Sequence, residues 1–250
     1  MLILAALAAF AAQARAATLA VLYFENAGSS QLDPLKVGLA QMLVSDLRGT
    51  PGITVIERSQ LQAIMDELKL GHSGVVDPAT AAKVGKLLGA DTLLLGSYFE
   101  LMGTLRVDAR LVRVESGEIV LASGANDSAQ AFMAIERTVA SAFRTALTAG
   151  AAAGGPNAAG VIHSGGTGSG AAPAIPAISP TPSSTEPGNF PIPTVIKPDS
   201  HALEAAVAYS EGLISLDTKD VARAREAFSR ALDQDPSLDA AKAELAKLDL

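Results

Sequence analysis

No cysteine and no tryptophan occur in this chain of 250 residues. The first absence removes disulfides, thiolate nucleophiles, cysteine-based zinc sites and any lipid anchor carried on an N-terminal cysteine. Histidine is scarce as well: His72, His163 and His201 are the whole set. Basic residues are outnumbered, 19 against 26 acidic ones, for a net charge of −7. A chain of that sign lacks the surplus of Lys and Arg that phosphate neutralisation requires, so no nucleic-acid partner is expected. Long apolar runs are also missing. Residues 1–12 (MLILAALAAFAA) are apolar, but Gln13 and Arg15 interrupt the stretch well short of the roughly 20 residues a spanning helix needs.

That short run has another reading. Ala14-x-Ala16 offers a small-residue cleavage site directly behind it, so residues 1–16 are expected to be a signal peptide. The mature chain is then exported, with no integral membrane segment after signal removal. Composition changes twice further on. Residues 150–200 are dominated by Gly, Ala, Ser, Thr and Pro and hold nine of the 13 prolines, too few large apolar side chains to offset the entropy of ordering them. A disordered linker is expected there, holding its flanking modules roughly 40 Å or more apart. Its glycine string at 165–170 has no Lys-Ser/Thr after it and no strand before it, so it does not read as a phosphate-binding loop. Three parts remain beyond the leader: 17–149, the linker 150–200, and a tail at 201–250.

Residues 17–149 spell out a legible order. A β-rich run at 18–24 (TLAVLYF) is followed by Asp33-Pro34, an N-cap and first-turn proline, opening a helix with Leu35, Leu39, Met42, Leu43 and Leu47 on one face. A strand at 53–56 precedes a helix at 59–70, and Asp77-Pro78 repeats the cap signal for a third helix. Residues 91–101, 104–115 and 118–125 are three β-rich runs joined by Met102-Gly103 and Ser116-Gly117, the pattern of an antiparallel meander. In the middle run Leu105, Val107, Ala109 and Leu111 alternate with Arg106, Asp108 and Arg110, one face buried and one polar. A helix from 128 to about 149 closes the unit. The order β-α-β-α-α-β-β-β-α predicts an α/β sandwich with a mixed sheet.

Several local motifs carry a family resemblance. Phe24-Glu25-Asn26, Val55-Ile56-Glu57-Arg58-Ser59-x-Leu61, Gly71-x-Ser73-Gly74, Gly89-Ala90-Asp91, Gly96-Ser97, residues 108–112 (DARLV) and Ser116-Gly117-Glu118 together resemble the CsgG-like domain. They are similar also to the amino-terminal domain of the TolB family. The resemblance spans 18–149 and implies an α/β fold like that of anticodon-binding domains, a place in the bacterial envelope, and no hydrolytic or transfer activity. It implies a periplasmic location, peripheral to the outer membrane, with other envelope proteins or further copies of itself as partners. The curli export pore of that family is acylated and contributes long transmembrane hairpins. This chain has no cysteine to acylate, and its meander is accounted for as core sheet, so a subunit of such a secretion channel is the alternative reading.

The tail carries a second resemblance. With Pro236 as the closing proline, Gly212, Ala224, Phe228 and Ala231 fall at the offsets of the small and aromatic packing residues of a tetratricopeptide repeat. The repeat would span about 205–238, with 239–250 as a capping helix. Glu211 and Ser215 stand where large side chains are usual, which weakens the expected helix packing. By this resemblance the concave side of the first helix presents Ala206, Tyr209, Leu213 and Leu216 to a partner; packing on the capping helix is the competing role for them.

Catalytic residues do not assemble from the sequence. His163 falls in the linker and His201 at the start of the tail, leaving His72, expected to be solvent-exposed in its loop. Glu57-Arg58 reads as a structural ion pair or cap, and Asp66, Glu67 and Asp108 as solvated carboxylates. No metal-ligand spacing is present. No catalytic, cofactor-binding or metal-binding residue is expected, and the chain reads as an adaptor, not an enzyme.

Overall fold

The computed structural model describes residues 16–72, 78–152 and 201–249. Ala14, Ser73, Gly74, Asp77, His163 and nearly all of the expected leader and linker lie outside the described residues. Ala16 directly precedes the first strand.

Six strands form one mixed sheet: β1 (Ala17–Val21), β2 (Glu25–Asn26), β3 (Ile53–Val55), β4 (Thr92–Leu101), β5 (Thr104–Arg113) and β6 (Ile119–Ser128). The order across it is β3-β1-β4-β5-β6, and β2 pairs with β4. Pairing is parallel among β3, β1, β4 and β2 and antiparallel through β4, β5 and β6. The two-residue β2 is an addition to the expected order. It forms where the chain leaves β1 and runs on beside Ser97 and Tyr98. The hairpin between β4 and β5 turns on Met102 and Gly103, both at positive φ (52° and 79°), the geometry of a type I′ turn.

The helices are α1 (Leu35–Leu47), α2 (Arg58–Glu67), α3 (Pro78–Leu88), α4 (Phe132–Ala152), α5 (Ala202–Asp217), α6 (Val221–Gln234) and α7 (Asp239–Leu248). The expected cap at Asp33 is absent. A 3-10 turn over Ser30–Leu32 leads straight into α1, Pro34 holds the N-cap position without a side-chain bond, and the Asp33 carboxylate instead accepts from Asn26 Nδ2 at 2.7 Å.

The alternation in β5 buries Leu105, Val107, Ala109 and Leu111, opposite Leu94, Gly96 and Tyr98 of β4. Helix α4 packs on β5 and β6 with Phe132, Ile135, Val139 and Phe143 fully buried, and α1 lies beside it. On the opposite face α3 covers only one end, where Gly85 admits Val114 and Leu93; a Cβ there would meet Val114 Cγ2 at 2.7 Å. The remainder of that face, with Phe99, Arg106 and Arg110, is exposed.

The largest departure concerns the tail. Helix α5 packs along α1, so the tail is not held at a distance from the α/β unit. The reason lies in α1, which is apolar on two sides: besides the expected stripe, Val37, Gly38, Ala40 and Val44 are buried. One side meets the sheet and the other needs a cover, which α5 supplies. At the closest approach a Cβ on Gly38 would lie 1.9 Å from Ser210 Oγ, so glycine is what lets the two helices touch.

Candidate functional site

Two features of the described residues concentrate polar chemistry. The first is the seam where α5 ends on the α/β unit. Asp217, last residue of α5, accepts through one oxygen, Oδ2, from Arg58 Nη1 at 2.6 Å and pairs with His72 Nε2 at 3.0 Å. The Arg58 and Asp217 side chains are only 10% and 11% exposed. Arg58 opens α2, and His72 sits in the loop after that helix, tilted against the Tyr23 ring with centroids 5.7 Å apart. The Tyr23 hydroxyl donates to Gln62 Oε1 at 2.5 Å, and Gln62 Nε2 donates to Asp66 Oδ1 at 2.6 Å.

Burial pushes the Asp217 carboxyl up, but the hydrogen bonds from His72 and Arg58 outweigh it and hold the group below the usual carboxylate range. Burial raises the Tyr23 phenol to about 12, against the lowering influence of Arg58. Asp217 is thus an ionised acceptor with one oxygen shared by two donors. It is a fastening between residues 159 apart in sequence rather than a free base.

These contacts revise three sequence expectations. His72 is not free in solvent: its side chain, 25% exposed, is held against Asp217 and the Tyr23 ring. Glu57 and Arg58 do form ion pairs, but with partners from elsewhere: Glu57 with Arg48 at 2.8 Å, Arg58 with Asp217. The partner-facing set is covered: Ala206, Tyr209 and Leu213 are 0%, 1% and 2% exposed, and Leu216 is half-buried. Tyr209 meets Phe228 of α6 at a centroid distance of 5.7 Å, and Gly212 leaves the space that the Phe228 ring fills. The two departures from the repeat pattern are accommodated. Glu211 pairs with Arg230 of α6, and Ser215 Oγ turns back to its own helix at Glu211 O.

The second feature is the open half of the sheet. A groove of about 490 Å³ runs across it between Glu25 and β6, floored by Gly96, Ser97, Ala109 and Gly124. Gly124 leaves room for the Asp108 carboxylate, whose Oδ1 would lie 2.3 Å from a Cβ there. Asp108 is thereby free to clamp Arg106 through two bonds of 2.6 and 2.7 Å. Arg110, two residues along the same face, has no such partner among the described residues. Next to the groove Phe99, Leu101 and Met102 are 36%, 62% and 95% exposed. Among the described residues no cluster of three or more His, Asp or Glu side chains has metal-binding geometry, and no helix is long and apolar enough to cross a membrane.

Comparison with known proteins finds partial likenesses. Residues 7–101 match the family model described as "Curli production assembly/transport component CsgG". The chain therefore carries a CsgG-like region that runs through the end of β4; β5, β6, α4 and the tail lie beyond the match. Among solved structures it is similar to the C-terminal domain of LpoB from Escherichia coli, at 19% identity over 45% of this chain and 83% of that one, with a TM-score of 0.37. Lipoprotein GNA1162 from Neisseria meningitidis gives 18% identity, 45% and 80% coverage and a TM-score of 0.39. The PelC dodecamer from Paraburkholderia phytofirmans gives 14%, 54% and 84%, and 0.31. A search of curated proteins finds no match.

Proposed function

We propose that this chain is an exported, non-enzymatic protein of the bacterial envelope that works by binding other envelope proteins, as an adaptor in assembly. The match of residues 7–101 to the CsgG family model carries this reading. The apolar leader with Ala14-x-Ala16 supports export, and the periplasm is the compartment that follows. Helices α5 to α7 act in this reading as a tetratricopeptide-like unit, supported by Gly212, Ala224, Phe228 and Ala231 at the packing positions. Because α1 already occupies the tail's inner face, the surface left for a partner is the open sheet half, with Phe99, Leu101 and Arg110.

Photocrosslinking from Leu101 and Arg110 in the native host tests it. Adducts to exported proteins are expected from both positions. Absence of adducts there, with adducts from a helix surface such as Arg223, would overturn the assigned face. The family description favours a second reading, a subunit of a curli-type secretion or surface-assembly channel. A ring that exists only in detergent would select it.

A further inference from the structure

We propose that the free edge of β6 pairs with the same edge of a second copy, joining two sheets into one across a two-fold axis. An edge strand presents unpaired N–H and C=O groups, and proteins keep such edges apart by making them short or by placing Lys, Pro or bulges on them. The two edges of this sheet differ in that respect. β3 has three residues. β6 has ten, about 33 Å at the usual rise per residue. It holds no Lys, Arg or Pro, and Asp127 is its sole charged residue. Its register irregularity lies near its start, opposite Leu111 and Val112, and the ladder is regular from Leu121 to Ser128. Among the described residues no backbone group between Val120 and Asp127 bonds to anything beyond β5.

The strand is also complementary to itself. Opposed residues in a ladder must point to the same face, so a symmetric antiparallel pair places its axis through a residue. With the axis at Ser123, Leu121 stands opposite Ala125 and Ala122 opposite Gly124, small against apolar at the centre of the joint. The two Asp127 carboxylates fall at opposite ends of the joint, beyond its regular core from Leu121 to Ala125, so no like charges face each other. An axis through Gly124 would instead set Leu121 against Asp127. Isologous contacts of this kind close at two copies.

Absence of cysteine gives a clean test. Directly opposed residues bring their Cα atoms within about 4.5–5.5 Å, inside disulfide reach. Ser123→Cys is expected to give a disulfide-linked dimer under mild oxidation. Ala125→Cys, which faces Leu121 of the other copy, is expected to stay unlinked, and the unmodified mature chain to sediment as a dimer without detergent. Circular dichroism and melting of the reduced variants check that both are folded. A wild-type chain that sediments as a monomer at every concentration overturns the proposal. So does equal crosslinking at both positions, a larger ring, or a Ser123→Cys protein that is folded and unlinked.

Discussion

At the scale of single residues, Asp217 joins parts of the molecule that sequence separation keeps apart. Two donors share its Oδ2, and with both ionised side chains nearly buried, removing one partner strands a charge. Asp217→Asn should cost about 3 kcal/mol at neutral pH, read from urea unfolding. The folded-state carboxyl is held below its ordinary range, so its contribution is present above that range and disappears as pH falls through the lowered value. The gap between wild type and Asp217→Asn should therefore close in acid, below about pH 4. Glu136 has the opposite sign. It is 2% exposed, its Oε1 has no hydrogen-bond partner among the described residues, and burial, with Asp46 nearby, raises its carboxyl to about 8. The folded chain binds a proton there that the unfolded chain releases above pH about 4.5, so stability is lost as pH rises from there to about 8. Glu136→Gln should be near neutral at pH 5 and gain up to about 4 kcal/mol at pH 9, measured by denaturation at both. Equal effects at the two values would contradict the assignment.

Among the elements, the contact of α1 with α5 depends on one glycine. Gly38→Ala pushes a methyl into Ser210 Oγ and should cost about 1–3 kcal/mol by overpacking. Removing the hydroxyl in Gly38→Ala/Ser210→Ala should recover most of that loss. Hydrogen exchange of α5 amides is the readout: faster in the single variant, near wild type in the double. The same pair of helices marks where the sequence was legible and where it was not. The alternation in β5, the Met102-Gly103 hairpin and the α4 stripe could all be read from local spacing, because each is fixed by neighbours within a few residues. The two-sided burial of α1 was also written in its residues, since apolar surface that extends well beyond one face of a helix has to be covered on more than one side. Reading only the stripe from Leu35 to Leu47 left Val37, Gly38, Ala40 and Val44 unexplained. β2 was missed because two residues carry no periodicity. The Arg58–Asp217–His72 cluster could not be found from spacing, because nothing local connects residues so far apart in the chain.

For the molecule as a whole, the tail belongs to the structural core and also covers the faces expected to meet a partner. Deleting residues 201–250 should uncover the second side of α1, raising dye binding to exposed apolar surface and lowering solubility. A truncated chain that melts like the parent would contradict this. What is left open is the half-sheet from Phe99 to Arg110, on which the adaptor reading depends. The most direct measurement is fractionation of the native host, followed by sizing of the mature chain with and without detergent. The account predicts a periplasmic protein cleaved after Ala16, with the mass of two chains in either condition. An uncleaved chain in the cytoplasm, or a ring that requires detergent, would contradict it.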